Sequence, residues 1–228
     1  MSKGFVIAID GPVAAGKGTI SPILAKNLNG FYLYTGAMYR CLALLCIKRG
    51  IDTKNENAVV NILPEFKINI SDNNVFLNGE DVTERIKEED VAMASSDVAI
   101  VKKVREEMVL IQQEIANKLI EEGKIVIAEG RDTATRVFPN AKLKIFLTAT
   151  PEVRTKRRLL QIEERGEKAE FEQVLKDVKL RDEHDTNREI DPLVKNPQAF
   201  GYFVLNDSKM SEEETIKIII KEVEKIKQ

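Results

Sequence analysis

Short apolar runs alternate along the chain with longer stretches in which apolar residues recur every three or four positions. The runs predict buried strands at residues 5–10, 31–34, 124–128, 143–147 and 200–205. The periodic stretches predict helices at residues 20–28, 38–49, 87–122, 152–165 and 168–188, and a last helix carrying Ile216, Ile219, Ile220, Val223 and Ile226. Because strands alternate with helices, we expect an α/β fold with a central parallel sheet covered on both faces.

Two helix boundaries are predicted from local sequence. The turn Thr35–Ala37 is expected to cap the helix that begins at Met38. The stretch 87–122 is expected to be interrupted near Ser95–Asp97. The apolar stripe of its second half, which indicates core packing, contains Val104, Met108, Ile111, Ile115 and Leu119.

Residues 52–85 differ from this alternating pattern. Residues 66–70 alternate between apolar and polar, which predicts a strand. Asp72–Asn74 predict a turn, and Val75–Leu77 predict a second strand that runs back beside the first. Asn78-Gly79 is a strong hairpin signal. The region therefore predicts a small antiparallel sheet inserted between elements of the main sheet.

A glycine-rich loop joins the first strand to the first helix. Gly11 and Gly16 allow the backbone to present successive N–H groups to an anion, Lys17 adds a positive charge, and the helix N-terminus adds its dipole. This pattern predicts a nucleoside triphosphate site rather than an ordinary strand–turn–helix. Gly18 stands where a hydroxyl residue usually ligates magnesium, so we expect Thr19 to hold a phosphate and the metal to be held mainly by phosphates and water. The predicted ATP-binding residues of the loop are Gly11, Pro12, Val13, Ala14, Ala15, Gly16, Lys17, Gly18 and Thr19.

Charge and cysteine content narrow the class of protein. The net charge of −2 at pH 7 gives no reason to expect nucleic acid or an acidic membrane as a partner. Cys41 and Cys46 lack zinc spacing and are expected to be reduced core residues of a cytoplasmic protein. Because the first predicted strand begins at residue 5, we expect no signal peptide. No apolar run reaches the roughly 18 residues of a membrane span. A monomer is the simplest expectation.

The arginines favour a small-molecule kinase among the users of nucleoside triphosphates. An Asn-Lys-x-Asp guanine motif is absent, and the chain is short for a motor ATPase. Arginine binds phosphate through paired N–H groups, and an acceptor phosphate that is mostly dianionic at neutral pH needs no general base. His184 is expected at the surface. Arginines lie at the ends of many elements, although a solvated surface role is the simpler interpretation for most of them singly: Arg40, Arg105, Arg131, Arg154, Arg157, Arg158, Arg181 and Arg188.

Several motifs occur together in a recognisable order. They are Gly11–Thr19, Thr35–Arg40, Val104–Glu106, Glu129–Asp132 with Val137–Pro139, and Arg181–Arg188. Together they resemble the bacterial cytidylate kinases over about residues 4–226. The resemblance implies a three-layer P-loop fold with a five-stranded parallel sheet, a small antiparallel insert and a helical lid. It also implies phosphorylation of CMP and dCMP by ATP with Mg²⁺, and a single domain with core 1–34, 104–150 and 198–228, a nucleoside monophosphate-binding region 35–103 and a lid 151–190.

The resemblance assigns roles to individual residues. Catalysis is expected from Lys17, Arg131, Arg157 and Arg188, and Arg157 and Arg158 are expected to bind ATP from the lid. Ser96, Arg105 and Asp132 are expected to read the cytosine edge, beside Tyr39. Acceptor-phosphate contacts fall to Thr35, Arg40, Arg131 and Arg188, and pentose contacts to Arg181 and Asp185. No residue-built metal site is implied.

Three departures and two alternatives accompany this interpretation. Ala14 stands where many relatives have glycine, and a positive φ there would be strained. Tyr34 replaces a usual aspartate, so Asp10 and Asp132 are candidates to support a magnesium-bound water. Residues 194–204 match loosely. The alternatives are a P-loop kinase of another nucleotide or a metabolite such as shikimate, and a nucleotide-binding regulatory module without turnover.

Overall fold

The computed structural model describes residues 3–71 and 74–227, and it divides into two compact units. The first unit comprises residues 1–32 and 119–228, and the second comprises residues 33–118. A five-stranded parallel sheet forms the centre of the fold, and a separate three-stranded sheet lies in the second unit. Among the described residues, no helix combines the length and the apolar composition needed to cross a bilayer.

The five-stranded sheet has its first strand at the centre. Its strands are β1 (Phe5–Asp10), β2 (Phe31–Tyr34), β6 (Ile125–Gly130), β7 (Leu143–Thr148) and β8 (Phe203–Asn206), in the order β2-β6-β1-β7-β8. β1 pairs in parallel with β6 and β7, and β7 pairs in parallel with β8. The central position of β1 places the loop that follows it beside the turns that follow β6 and β7.

The alternation of side chains along β1 gives the sheet two buried faces. Ile7 and Ile9 pack on one face in a cluster with residues of α1 (Lys17–Asn27) and α8 (Glu212–Lys227). Ala8 packs on the other face with Ala134, Phe146, Leu193 and Tyr202. Because side chains alternate with period two, Asp10 shares the face of Ala8 and follows an apolar strand into the protein interior.

Two further helices of the first unit follow β7 one after the other. They are α6 (Pro151–Glu164) and α7 (Phe171–Asn187). Thr150 caps α6 by accepting from Val153 N–H, and Pro151 occupies the first helical position, one residue before the predicted helix start. Residues 133–137 form a short π-helical turn after β6, and residues 197–200 form a 3₁₀ turn before β8.

The second unit contains the predicted insert and mostly helical elements around it. Its helices are α2 (Thr35–Lys48), α3 (Glu56–Ile62), α4 (Glu89–Val98) and most of α5 (Lys102–Glu121), and its strands are β3 (Ile68–Ser71), β4 (Asn74–Leu77) and β5 (Glu80–Asp81). The strands pair antiparallel in sequence order. Asn78 and Gly79 have φ of 52° and 86°, which is the conformation that the hairpin signal predicts. Asp72 and Asn73, in the other predicted turn, lie outside the described residues.

Several predicted boundaries are displaced. Thr35 is the first residue of α2 and not its cap, since Tyr34 takes the N-cap position. The break in the long helical stretch lies at residues 99–101 rather than near Ser95–Asp97. The last strand is shorter than predicted, because Phe200 belongs to the preceding 3₁₀ turn. These differences reflect tertiary contacts that local propensity does not record.

Two thiols lie in the interior of α2. The side chains of Cys41 and Cys46 are buried and unpaired, as the sequence predicts. Burial raises the pKa of Cys41 to about 12 and that of Cys46 to about 11. Both groups are therefore protonated at neutral pH and behave as small apolar side chains.

Candidate active site

The glycine-rich loop connects β1 directly to α1. Gly16 is the N-cap with φ of 90°, and Ile20 N–H donates to Gly16 O at 2.9 Å, so the helix begins at Lys17 rather than at Ile20. A Cβ on Gly11 would lie 2.0 Å from Leu147 O, which explains why glycine is needed there. Ala14 has φ of 55°, so the strain expected for a side chain at that position is present.

Lys17 lies buried beneath this loop. Its ammonium group donates to Gly11 O at 2.8 Å and to Pro12 O at 2.9 Å. Burial, and then the charge of Arg131, lower the pKa of Lys17 to about 7, although nearby carboxylates including Glu129 oppose this shift. A triphosphate in the loop would favour the charged form of Lys17, because an adjacent anion stabilises an ammonium.

Four of the predicted substrate residues meet in two ion pairs. Arg131 Nε donates to Asp185 Oδ2 at 2.6 Å, and Arg188 Nη2 donates to Asp132 Oδ1 at 3.1 Å. Burial raises the pKa of Asp185, but the guanidinium of Arg131, together with the charges of Arg181 and Arg188, holds that pKa below its usual value. Arg188 also donates to Asp191 O. The charge of Arg131 also lowers the pKa of Lys17. The charges of Arg181 and Arg188, like that of Arg131, lower the pKa of Asp185. These charged groups therefore lie close enough to influence one another.

The lid arginines predicted to bind ATP have different surroundings. Arg157 Nη1 donates to Ala15 O at 3.2 Å and to the buried carboxylate of Asp207 at 3.0 Å, so it contacts the phosphate loop. Arg158 is half-buried and donates to Gln161 Oε1 at 3.4 Å within α6.

One amide of the phosphate loop is bound by a side chain of α7. Val13 N–H donates to Asp182 Oδ1 at 3.1 Å, so the amide of Val13 already has an acceptor.

Asp10 organises the turn that carries Arg131 and Asp132, a role that the sequence did not reveal. Its carboxylate is fully buried and accepts from Thr133 N–H at 2.9 Å, Ala134 N–H at 2.8 Å and Tyr202 O–H at 2.6 Å. Burial raises its pKa, and the hydrogen bonds from Ala134 and Tyr202 oppose the rise. Three protein donors thus already bind the Asp10 carboxylate, and its support of a magnesium-bound water stays a prediction.

Removing the Tyr202 hydroxyl should weaken this arrangement. In Tyr202→Phe the ring keeps its edge-to-face contact with Phe146, at a centroid distance of 5.8 Å, but Asp10 loses a donor. We expect the free energy of unfolding to fall by about 1–3 kcal/mol, because a buried carboxylate loses part of its solvation. Urea unfolding measures this change, and a difference below about 0.5 kcal/mol would contradict the role given to the hydroxyl.

Glu129 belongs to the predicted motif Glu129–Asp132, but no role was predicted for it. β6 continues through Gly130, two residues beyond the predicted end, so Glu129 is held in the strand and is buried. Its Oε1 accepts from Tyr32 O–H at 2.8 Å, and burial raises its pKa, although Lys17 opposes this shift. A Cβ on Gly18 would lie 3.8 Å from Oε1. The position at the end of a buried strand was the signal available in the sequence.

The second unit contains the other predicted substrate residues. Arg105 is only 2% exposed, donates to Ala99 O at 3.0 Å and lies 5.6 Å from the centre of the Tyr39 ring. The structure thus brings these two predicted base contacts together. Arg40 Nη1 donates to Ile86 O at 2.7 Å, Thr35 is buried, and Ser96 is half-buried.

The buried face of α5 is shifted from the predicted stripe. Ile111 and Ile115 are half-buried, and Gln112 is buried.

Comparison with known proteins decides the family. The family model described as cytidylate kinase matches residues 7–225. The chain belongs to the cytidylate kinase family. A cytidylate kinase of Caldicellulosiruptor bescii is 42% identical over 222 residues, covering 96% of this chain and 95% of that protein. One of Clostridioides difficile is 45% identical over 194 residues, covering 85% and 88%.

Membership of the cytidylate kinase family defines the reaction class. The protein is a nucleoside monophosphate kinase that phosphorylates CMP and dCMP with ATP. A crystal structure of an uncharacterised protein from Eubacterium ventriosum shares the fold, with a TM-score of 0.52 at 14% identity over 96% of this chain and 98% of that one. The family model and the curated relatives, not this structure, set aside the shikimate kinase and regulatory-module alternatives.

Proposed function

We propose that the cluster around Lys17 and Arg131 transfers the γ-phosphoryl group of ATP in line to the phosphate of CMP or dCMP. The observation that supports this proposal best is the pairing of β1 with β6, which puts the loop with Lys17 and the residue Arg131 after the carboxyl ends of neighbouring parallel strands. Arg131 is held there by its 2.6 Å contact with Asp185 of α7. Ligands of open α/β sheets bind at this edge. Two polyphosphate-binding groups, a lysine and a guanidinium, lie within electrostatic reach of one another there.

Catalysis in this site is a matter of positioning and charge. Loop N–H groups, Lys17 and Arg157 hold the triphosphate, while Arg131 and Arg188 hold the acceptor phosphate. The family resemblance assigns Thr35 and Arg40 to the acceptor phosphate as well. Phosphoryl transfer needs little covalent help from protein groups, and a dianionic acceptor needs no base. Arg131 pairs with Asp185 through Nε, so contact between a phosphate and its terminal nitrogens does not require that pair to break.

The residues present fit a magnesium ion that travels with the nucleotide. Mg²⁺ commonly keeps several waters and binds through substrate phosphates, so it needs few protein ligands. Glu129, which faces the position of Gly18, is the carboxylate proposed to accept from a metal-bound water. When bound, the ion neutralises charge on the transferred phosphoryl group.

Base selection is proposed for Ser96, Arg105 and Asp132, with Tyr39 packing beside the base and Arg181 and Asp185 contacting the pentose. A hydroxyl, a guanidinium and a carboxylate together match the donor and acceptor groups of cytosine. A uracil would leave a buried polar group unpaired, which is a strong basis for discrimination. The contact between Arg105 and Tyr39 supports this assignment.

The remaining proposals concern organisation. We keep residues 35–103 as the monophosphate-binding region and 151–190 as the lid of a single kinase domain, acting as a monomer. The second unit, 33–118, and the position of α6 and α7 after β7 support this division. A cytoplasmic location remains proposed, and the unpaired buried thiols support it.

A substrate panel tests the function. A coupled ADP-release assay with CMP, dCMP, UMP, AMP and shikimate should give the highest kcat/KM with a cytidine nucleotide. In Ser96→Ala, kcat/KM for CMP should fall about tenfold or more while UMP changes little, because one base contact is lost. Fastest turnover on another acceptor would overturn the function, and unchanged selectivity in Ser96→Ala would remove Ser96 from the base-reading group.

A further inference from the structure

Both backbone polar groups of Val13, within the phosphate loop, are bound by side chains from distant helices. Asp182 of α7 accepts from Val13 N–H through Oδ1 at 3.1 Å. Arg154 of α6 donates from Nη1 to Val13 O at 3.0 Å. The same Nη1 lies 2.6 Å from Asp182 Oδ2, so the three residues form a closed ring of polar contacts. The loop is therefore attached at one residue to both helices.

Arg154 lies in the interior, and its Nε and Nη1 groups are bound to protein acceptors. Its side chain is 6% exposed, and its Nε donates to Ala149 O at 3.0 Å, immediately after β7. This differs from Arg157, one turn later on α6, which is 29% exposed. A buried arginine with three protein acceptors holds its neighbours in fixed geometry, since breaking any contact leaves part of a buried charge without compensation.

The other partner, Asp182, lies one turn from Asp185 on α7. Residues three apart share a helix face, so the two carboxylates project from the same side of α7. Asp182 contacts Val13 of the phosphate loop, and Asp185 contacts Arg131 at 2.6 Å. One helical turn thus joins the loop that receives the triphosphate to the arginine assigned to the acceptor phosphate.

We propose that Arg154 and Asp182 are positioning residues that hold the phosphate loop at Val13. Because Asp182 and Asp185 share α7, the same contacts set the distance between the phosphate loop and Arg131. This inference rests on the proposed function, because it assumes that the loop and Arg131 hold the two reacting phosphates. The pair acts through other groups and contacts no substrate. Small displacements of aligned reactants lower the rate steeply, by about 10²-fold for 1 Å. Loosening the ring should therefore reduce kcat and ATP affinity together.

The test uses Asp182→Asn, which preserves shape and removes the charge that holds Arg154. ATP affinity measured by calorimetry should fall about tenfold, and kcat should fall between about tenfold and 10²-fold. The KM for CMP should change less than about twofold. Arg154→Lys keeps a positive charge but offers one point of contact in place of the planar fork, so it should show an intermediate loss. Thermal melting of each variant confirms that the protein measured is folded.

Asp177→Asn is the matched control. Asp177 lies on the same helix, is exposed, and accepts from Gln173 Nε2 at 2.8 Å. Its variant should match the native enzyme in kcat and ATP affinity. A purely structural pair would lower the melting temperature of Asp182→Asn without changing either constant, and that result would overturn the proposal.

Two further outcomes separate this inference from the proposed function. Tighter ATP binding by Asp182→Asn would mean that Asp182 competes with ATP for the Val13 amide, and it would also overturn the proposal. Native behaviour of Asp182→Asn with loss of activity in Lys17→Met would reject the positioning pair alone. Full activity in both variants would reject the proposed site as a whole.

Discussion

Replacing Lys17 with methionine is expected to lower kcat by about 10³-fold, because the site loses the one ammonium group assigned to the charge that develops on the transferred phosphoryl group. Lys17 is buried, and its Nζ contacts Gly11 O and Pro12 O. Methionine retains most of the side-chain volume and removes the charge. ADP-release kinetics at saturating ATP and CMP measure the effect.

The same substitution should not destabilise the fold. The pKa of Lys17 is about 7 in the folded protein and about 10.5 in an unfolded chain, so the ammonium binds its proton more weakly when folded. Lys17 therefore lowers the free energy of unfolding by an amount that grows as pH falls from 10.5 to 7. Methionine does not titrate, so the variant lacks this pH dependence. Lys26→Met, at an exposed position of α1, is the control and should keep native kcat. Turnover of Lys17→Met within about threefold of native would refute the catalytic assignment.

Replacing Arg131 with methionine is expected to lower kcat by between about 10²-fold and 10³-fold, through loss of a guanidinium assigned to the acceptor phosphate. The substitution also leaves Asp185 without its 2.6 Å partner, so stability should fall as well. Steady-state kinetics together with urea unfolding separate the two effects. Arg136→Met, in the same segment but with a side chain 48% exposed and 3.7 Å from Asp191, should change neither quantity appreciably.

A double variant distinguishes phosphate binding from simple neutralisation of Asp185. Arg131→Met combined with Asp185→Asn removes both charges, so it should recover most of the lost stability. If Arg131 contacts the acceptor phosphate, kcat stays low in the double variant. Recovery of kcat to the level of Asp185→Asn alone would instead show that Arg131 serves only to balance a carboxylate.

Local chemistry made part of the molecule predictable. The phosphate loop and the Asn78-Gly79 hairpin each depend on a few adjacent residues with restricted backbone conformations. The strand bearing Glu129–Asp132 was recognisable as a buried apolar run that ends in polar residues. These features were sufficient to locate Lys17 and Arg131, and the order of the motifs was sufficient to identify the family.

Contacts between distant parts of the chain were not predictable in this way. Asp182 is 169 residues from Val13, and Tyr202 is 192 residues from Asp10. Each of these side chains lies in a stretch whose composition is ordinary for a surface helix or a strand entrance. Arg154 was indistinguishable from its neighbours on α6 until the fold placed its guanidinium beside Ala149 and Val13. Burial of a charged group depends on its partners, and sequence pattern alone does not supply them.

The two inert sulfhydryl groups of α2 make the protein convenient for site-directed labelling. Cys41 and Cys46 are the only cysteines, and both are buried and protonated at neutral pH. Maleimide reagents, which attack exposed thiolates, should therefore leave the native chain unmodified at neutral pH. A cysteine introduced at exposed Leu160 of α6 would then carry the dye alone. Fluorescence from that dye offers a direct way to follow α6 as nucleotides bind.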